Sequence, residues 1–426
     1  MNTIKNIIII ALIALTAYSC DDKVTEIFVA NSPVYMSYED LAKSVKQTSA
    51  RKLEKPGKIY FKDNYLFIVE ERTGIHVINN TDPANPQKMS FVEIPGVVDM
   101  AIKGDVLYVD SYVDMVALSL GNLNNINEIK RIKNTFPYTL PPFDEKYPLA
   151  KIEQEKGVII GWEIKTIRQE VENRYFPVYW EDGKLFDGSS SFAVNAGGIS
   201  SSGFGVGGSM ARFGIRENTL YTVDDSRLHI FDITNATNPI SYGDYYAGRA
   251  IETMFISNDK MFLGGRDGVR IFDIAIPRYP KYLSQFRHVL GCDPVVVADT
   301  LAYVTLRGGN ACGNTLDRLD VLSVANFSAP KLIATYVMNE PYGLGIDNKT
   351  LFVCDGSAGL KIYNATDPLK IDQNMISHFP NIIAYDVIPV NGTLFLIGED
   401  GFYQYNYQNL NDIRLISKIE INQPTM

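Results

Sequence analysis

Seven residues share one position in a spaced series, each lying nine residues before an aromatic residue. They are Lys58, Asp99, Arg212, Thr253, Pro294, Gly343 and Asp386. Two cations and two carboxylates gathered at one place could hold a sugar, an anion or ordered water. Asp99 and Asp386 could also form the carboxylate pair of a glycosidase, which needs carboxyl groups about 5 to 10 Å apart. We favour the structural alternative, in which these groups satisfy one another and bound water, because buried polar groups need partners.

Other chemical motifs lack the context that their chemistry requires. Gly203, Gly205 and Gly208 have dinucleotide-loop spacing, but no strand pattern precedes them and no helix pattern follows. The four histidines fall in different repeats, and neither HExxH nor a paired CxxC occurs. The acidic segments 223–227 and 398–401 lack the alternating Asp spacing of a calcium loop. The sequence therefore predicts no catalytic residue, no metal site and no cofactor.

The composition indicates a globular protein. Of 426 residues, 46% are hydrophobic and 21% are charged, which excludes a disordered chain and a polytopic membrane protein. Acidic residues outnumber basic ones by 49 to 40, so the formal net charge is −9. Nucleic acid is an unlikely class of partner on this ground, because phosphate binding needs a concentrated basic surface.

The elements that must position these residues repeat along the chain. One strand phrase recurs as NYLFIV, DVLYVD, NTLYTV, DKMFLG, TLAYVT, KTLFVC and GTLFLI. Its aligned aromatic residues are Phe67, Tyr108, Tyr221, Phe262, Tyr303, Phe352 and Phe395. Their successive spacings are 41, 113, 41, 41, 49 and 43 residues, and 113 is one period of 41 plus an insertion of 72.

Each phrase belongs to a unit of four short strands. A third strand such as RLHIFDI follows, then a turn rich in Asn, Asp and Pro, then a weaker fourth strand. Four strands in about 41 residues match the blade period of a β-propeller. The sequence therefore predicts an all-β, seven-bladed propeller of four-stranded antiparallel blades, with a long inserted loop or hairpin between blades 2 and 3. A sandwich or a solenoid is the alternative.

The third-strand phrases and the DPxNP-like turns resemble those of LVIVD-repeat proteins, which are secreted or lipid-anchored bacterial propellers. The resemblance covers roughly residues 33 to 421. Because this family has no established catalytic activity, the resemblance implies a fold and little chemistry.

The N-terminus reads as a lipoprotein signal peptide. Lys5 is followed by the apolar run IIIIALIA and then by Cys20, the residue expected to carry the lipid. Asp21 and Asp22 after Cys20 resemble the export signal of Bacteroidetes-type surface lipoproteins, which implies an outer-membrane location. Cleavage removes only Lys5, so 39 basic and 49 acidic residues give the mature body a charge of −10. Anchoring would then depend on the acyl chains.

We predict a signal peptide at 1–20, an N-terminal linker or edge segment at 21–56 and a propeller at 57–421 with its insertion at 133–210. In a propeller, the loops between strands two and three lie on the same face as the connections between blades. We call this face the top face.

The insertion leaves from the top face. Its segment KGVIIGWEIKTIRQEVE alternates like an extended hairpin with Trp162 as a packing anchor, and the Gly- and Ser-rich residues 187–209 are expected to be mobile. The ring could be completed by the last unit alone or by the N-terminal segment PVYMSY.

Two cysteines fall on the top face of the fifth unit. Cys292 precedes its inner strand and Cys312 lies in its enlarged loop, so we predict a disulfide between them in an oxidising envelope. Cys354 lies in a strand and is expected to be a buried thiol.

The predicted function is that of a non-catalytic binding or scaffold propeller at the cell surface. Its partners would be the membrane, through Cys20, and a protein or glycan ligand on the top face, with Lys58, Asp99, Arg212, Thr253 and Asp386 at the channel mouth. The alternative is a carbohydrate-active enzyme that uses Asp99 and Asp386.

Overall fold

The computed structural model describes residues 25–170, 179–180, 206–207, 209, 211–287, 294–308 and 316–421. The chain divides into two compact units. The larger unit comprises Ser37–Leu140 and Tyr179–Met426, and the smaller one comprises Met1–Met36 and Pro141–Val178. No helix among the described residues is long and apolar enough to cross a bilayer.

The strands are numbered in chain order. The N-terminal part forms β1 (Thr25–Met36), the short helix α1 (Tyr38–Leu41) and β2 (Lys46–Ser49). The first blade contains β3 (Pro56–Lys62), β4 (Tyr65–Glu70), β5 (Gly74–Asn79) and β6 (Gln87–Glu93). The second contains β7 (Met100–Lys103), β8 (Val106–Ser111), β9 (Asp114–Ser119) and β10 (Asn127–Ile132). The insertion contributes β11 (Thr139–Leu140), a 3-10 helix (Gln154–Lys156), β12 (Val158–Glu170), β13 (Tyr179–Trp180) and β14 (Val206–Gly207).

Five more blades follow the insertion. Blade 3 contains β15 (Phe213–Arg216), β16 (Thr219–Val223), β17 (Arg227–Asp232) and β18 (Ile240–Tyr246). Blade 4 contains β19 (Ile251–Ser257), β20 (Lys260–Gly265), β21 (Gly268–Asp273) and β22 (Lys281–Phe286). Blade 5 contains β23 (Val295–Ala298), β24 (Leu301–Leu306), β25 (Arg318–Ser323) and β26 (Lys331–Val337). Blade 6 contains β27 (Leu344–Asp347), β28 (Thr350–Cys354), β29 (Leu360–Asn364), a 3-10 helix (Ile371–Gln373) and β30 (Met375–Phe379). Blade 7 contains β31 (Ala384–Val390), β32 (Thr393–Gly398), β33 (Gly401–Asn406) and β34 (Arg414–Glu420).

The predicted seven-bladed propeller is confirmed. In each blade the four strands pair antiparallel with their sequence neighbours, and the inner strands of consecutive blades lie side by side. Blade 1 carries two further strands, because β2 pairs with its outer strand β6 and β14 pairs with its inner strand β3.

The ring closes by side-chain contacts between blades 7 and 1. Asn80 and Gln404 exchange two amide hydrogen bonds of 2.9 and 2.8 Å. The Ser417 hydroxyl donates to the carbonyl of Pro83 at 2.7 Å. Blade 7 is built from its own four strands, so the alternative closure by PVYMSY is wrong. That segment instead belongs largely to β1, where Pro33–Met36 pair with residues of β12.

The segment KGVIIGWEIKTIRQEVE does not fold back on itself over its described residues. Val158–Glu170 is one continuous strand, and its partner is β1. The extended pattern was predicted correctly, but the internal hairpin was wrong. Trp162 does anchor this unit, because its indole N–H donates to the Pro141 carbonyl at 2.9 Å and its ring meets Phe143 edge-on.

The turns after the third strands are held by side chains of Asn and Asp. Asn79, Asp232, Asp273 and Asn364 each accept a hydrogen bond from the backbone N–H two residues further on. This geometry is the Asx turn, which explains why the sequence places Asn or Asp at these points in the repeat.

The aligned aromatic residues lie in the second strands, and all are buried. In blades 2 and 3 their hydroxyls also reach the following blade: Tyr108 donates to Ala236 at 2.8 Å, and Tyr221 donates to Pro277 at 2.7 Å. In blades 4, 6 and 7 the contact with the following blade is between rings: Phe262 with Phe327, Phe352 with Tyr407, and Phe395 with Phe61. One repeated position therefore stabilises the interfaces between blades.

We predict that Tyr221→Phe lowers the free energy of unfolding by about 1 kcal/mol, because it removes one hydrogen bond between blades and keeps the buried ring. Tyr303→Phe is the matched control. Tyr303 occupies the same position in blade 5, and the pKa of its phenol is raised to about 12 by burial and nearby charge, without a hydrogen bond from the described residues. Urea unfolding of the purified full chain measures both variants. Equal midpoints for the two would contradict a role of the Tyr221 hydroxyl in joining the blades.

Candidate functional site

The structure places the predicted channel-mouth residues at the entry to the inner strands. Lys58 lies in β3, Thr253 in β19 and Asp386 in β31, while Asp99 and Arg212 each precede an inner strand by one residue. Arg212 is half-buried, and the other four are buried. Lys58 contacts Asp99, and Asp99 contacts Arg212, so members from blades 1, 2 and 3 meet.

Asp99 joins three blades. Its carboxylate forms an ion pair with the Lys58 ammonium at 3.2 Å and accepts hydrogen bonds from the backbone N–H groups of Arg212 and Phe213. Its other oxygen accepts from the Met100 N–H at 2.7 Å. Burial lowers the pKa of Lys58, and the charge of Asp99 opposes that shift. Both oxygens of Asp99 are thus engaged in structural contacts.

Asp386 is covered by the end of the insertion. Ser209 is fully buried; its hydroxyl donates to Asp386 Oδ1 at 3.2 Å and accepts from the Leu344 N–H at 3.0 Å. Immediately before it, β14 pairs with β3 at the centre of the ring. The last residues of the segment 187–209 are therefore packed, contrary to the expectation that the whole segment is mobile, and residues 187–205 and 208 lie outside the described residues.

The environment of Asp386 favours its neutral form. Burial raises its pKa well above the ordinary value, and the bonds from Val387 and Ser209 and the charge of Lys58 oppose that shift only in part. Its Oδ2 atom is buried and has no hydrogen-bond partner in the described part of the chain. Gly343 must be a glycine here, since a Cβ would lie 1.8 Å from Asp386 Oδ1. Asp99 and Asp386 are 3% and 0% exposed, so neither offers a carboxylate to a substrate.

An open cleft lies on the top face beside the closed channel mouth. We call it the top-face cleft. Blades 1 to 4 and the connections between them supply its walls. Its charged lining residues are Arg72, Asp110, Arg212, Asp224, Asp225, Glu252 and Arg266, and its aromatic ones are Tyr112, Phe136 and Phe213.

Several residues of the cleft lining have unusual backbone conformations. Arg72, Tyr112 and Ala250 adopt left-handed φ values of 54°, 53° and 49°. Such conformations are unfavourable for residues other than glycine and persist where surrounding contacts impose them. Gly96, itself at φ 82°, makes room for the Tyr112 ring, because a Cβ there would lie 2.5 Å from that ring.

Two of the cleft carboxylates are fixed by backbone groups. Asp110 Oδ1 accepts from Val98 and Asp99, at 2.8 and 2.9 Å. Asp224 Oδ1 accepts from Ser226 and Arg227, both at 2.7 Å.

Asp224 Oδ2 faces His229 Nε2 at 2.9 Å. Burial acts to raise the pKa of Asp224, but these bonds outweigh burial and lower it. The carboxylate therefore remains charged and held in one orientation.

The other charged groups of the cleft lie close to one another. Arg266 Nε donates to Glu252 Oε1 at 3.2 Å, and burial lowers the pKa of this guanidinium. Asp225 is exposed at the rim, where burial of part of the carboxyl and the neighbouring Asp224 raise its pKa, while Arg212 acts in the opposite direction. The lining therefore combines donors and acceptors with apolar residues.

Sequence reasoning missed the cleft as a site. It singled out 223–227, which includes Asp224 and Asp225, only as a rejected calcium loop, and it overlooked Arg72, Tyr112 and Arg266. These three residues lie four or five positions after the aligned aromatics, where the top loop of each blade begins. Comparison of that position across the repeats was the available signal.

The cysteine predictions have different outcomes. Cys20, Cys292 and Cys312 lie outside the described residues, so lipidation and the disulfide stay predictions. Cys354 is a free, fully buried thiol, as predicted, and burial raises its pKa.

Comparison with models of protein families gave no match, and comparison with curated proteins gave none either. Among solved structures, Sqt1 from Saccharomyces cerevisiae matches with a TM-score of 0.50 and 6% identity, over 89% of this chain and 89% of that chain. BamB from Moraxella catarrhalis matches with a TM-score of 0.46 and 9% identity, over 84% and 96%. The computationally designed Ika8 protein matches with a TM-score of 0.49 and 8% identity, over 89% and 91%. At this identity the similarity to Sqt1 concerns the fold alone.

We predict that Asp386→Asn changes how stability depends on pH. Because the folded state raises the pKa of Asp386 above 3.8, the folded chain keeps a proton that the unfolded chain releases, and the stability contributed by this group falls as the pH rises from 3.8 towards the raised value. The variant stays neutral throughout, so its stability relative to the parent chain should increase between about pH 4 and pH 8.

Urea unfolding at the two pH values measures this difference, with Glu54→Gln at an exposed carboxylate as the control. A difference between the Asn variant and the parent that is the same at both pH values would refute the buried neutral carboxyl.

Proposed function

We propose that this chain is a lipid-anchored, non-catalytic binding propeller of the outer membrane, which receives a protein or glycan ligand on its top face. The top-face cleft is the observation that carries the proposal. The loops of four blades form it, and loops on a rigid scaffold are where binding residues concentrate.

The proposed anchor rests on the sequence. Lys5, the apolar run and Cys20 fit a lipoprotein signal, and the acidic pair Asp21–Asp22 supports export to the cell surface. The resemblance of the repeats to LVIVD-repeat proteins supports the same location. A mature body with a net charge of −10, from 39 basic and 49 acidic residues, would be repelled by anionic lipid, which assigns membrane attachment to the acyl chains.

The alternative enzyme has less support. It needs Asp99 and Asp386 as a reactive pair, yet Asp99 is bound to Lys58 and to backbone N–H groups, and Asp386 lies beneath Ser209. A general acid or a nucleophile must reach its substrate. A binding role requires no such exposure of these two carboxylates.

We predict that Cys20→Ser abolishes incorporation of radiolabelled palmitate and releases the chain from the membrane fraction, because a thioether-linked diacylglycerol anchor cannot form on serine. The control is Cys354→Ser, which alters a buried thiol and should keep both the label and the membrane fraction. Label retained by the Cys20 variant would contradict the anchor.

The binding role is tested on intact cells with a photo-crosslinking amino acid placed at position 225, at the rim of the cleft. The matched control is position 279, where Tyr279 is 66% exposed in a turn on the opposite face. We expect a discrete covalent adduct at 225 that is absent at 279. No adduct at 225, or the same adduct at both positions, would refute a top-face ligand.

A further inference from the structure

The residue types that line the top-face cleft also indicate the chemical class of its ligand. We infer that the cleft binds a neutral saccharide through pairs of neighbouring hydroxyl groups. This inference rests on the proposed function, because it names the ligand class of the same cleft.

The charges in the cleft nearly cancel. Three guanidinium groups, from Arg72, Arg212 and Arg266, face four carboxylates, from Asp110, Asp224, Asp225 and Glu252. A phosphate or sulfate site requires an excess of positive charge, which this lining does not supply. The formal balance of these seven groups is −1, but Asp110 and Asp224 are already bonded to backbone N–H groups, so the lining keeps little negative charge for a cationic ligand.

A cleft lining that contains both hydrogen-bond donors and acceptors suits a ligand with hydroxyl groups. A hydroxyl both donates and accepts, whereas a guanidinium only donates and a carboxylate only accepts. Arg266 and Glu252 are in contact at 3.2 Å, with side chains 30% and 9% exposed. A pair of adjacent sugar hydroxyls at this point would meet the guanidinium donors with the carboxylate acceptor directly beside them. Hydrogen bonds to charged groups are the stronger kind, so a neutral ligand can be held without an ion pair.

The aromatic part of the lining suits the C–H faces of a sugar ring. Tyr112 lies over Gly96, and Phe136 is held edge-on to His229 with ring centroids 5.5 Å apart. A pyranose ring has C–H faces that pack against an aromatic ring while its hydroxyls point sideways. Aromatic rings with adjacent charged groups thus provide both contacts that one sugar residue needs.

The cleft is also prepared before the ligand arrives. Backbone N–H groups hold Asp110 and Asp224, and the left-handed conformations of Arg72 and Tyr112 fix where their side chains leave the loops. Prearranged groups lose little conformational entropy on binding, which matters for a small polar ligand that gains little from apolar burial.

The test uses the full chain in a zwitterionic detergent, because glucoside and maltoside detergents themselves carry sugars. Saturation-transfer NMR and calorimetry are run against a panel of neutral monosaccharides, neutral oligosaccharides with a blocked reducing end, inorganic phosphate and an acidic peptide. We expect at least one neutral saccharide to bind. Preference for a monosaccharide would identify a free sugar, and preference for an oligosaccharide would identify a glycan chain.

Three variants locate the binding. Glu252→Gln and Tyr112→Leu should each weaken the saccharide affinity by about tenfold or more, because the first replaces a charged acceptor by a neutral amide and the second removes an aromatic face. Tyr279→Ala, on the opposite face, should leave the affinity unchanged. Circular dichroism establishes that each variant is folded, so that a loss of affinity reports on the cleft.

Two results would overturn the ligand class. One is that no neutral saccharide binds while phosphate or the peptide does, with sensitivity to the cleft variants; the cleft would then remain a binding site for another ligand. The other is saccharide binding that Tyr279→Ala removes and the cleft variants leave intact. Binding of nothing on the panel, together with no crosslink at position 225, would overturn both the ligand class and the proposed function.

Discussion

The packing of an aromatic ring against the next blade is the interaction on which the rest of this structure depends. A four-stranded blade has two faces, and neither can be left in water when both carry apolar residues. The aromatic of each second strand is buried, and in blades 2 and 3 its hydroxyl donates to a carbonyl in the loop after the third strand of the next blade. The same residue therefore supplies apolar area and sets the register between neighbours. The contact is present in blades 2, 3, 4, 6 and 7, and the ring closes without an exchanged strand.

Carboxylates at the ends of second strands have a second structural task. Glu70 accepts from the N–H groups of Glu54 and Lys55, Asp110 from those of Val98 and Asp99, and Asp355 from those of Asn339 and Glu340. Each carboxylate thereby ties the entry of the inner strand to its own blade. An acidic top face consequently need not be a cation site, since much of its charge is already committed to backbone donors.

The fold was predictable from the sequence because the same blade pattern recurs in seven repeats. Each unit repeats its buried aromatic, its Asx turn and its spacing. A strand that is misassigned in one unit can therefore be corrected by comparison with the others. The β1–β12 pair occurs only once, and its partners lie about 130 residues apart, as in Pro33 with Trp162. Alternation along Val158–Glu170 indicated a strand, but alternation carries no information about which strand pairs with it.

The candidate site was likewise predictable only in the part that the repeats determine. The position of Asp99 and Asp386 in the repeat was sufficient to place them at the channel mouth. The burial of Asp386 was not predictable, because it depends on Ser209, a residue in a Gly- and Ser-rich segment with no repeat to compare. The cleft depends on loops that differ from blade to blade, and the repeated pattern says least about those residues. The signal that remains is the position of Arg72, Tyr112 and Arg266 at the start of each top loop.

The closed axis explains why the open space lies to one side. Inner strands of seven blades converge on a narrow channel, and β14 and Ser209 occupy its mouth between blades 1, 6 and 7. A ligand on the axis would have to displace buried, hydrogen-bonded backbone, whereas a ligand among the top loops of blades 1 to 4 displaces water. Asp225 and Arg266 line the cleft without taking part in the aromatic contacts between blades. Binding specificity can therefore vary at these loops while the buried aromatics keep the ring intact.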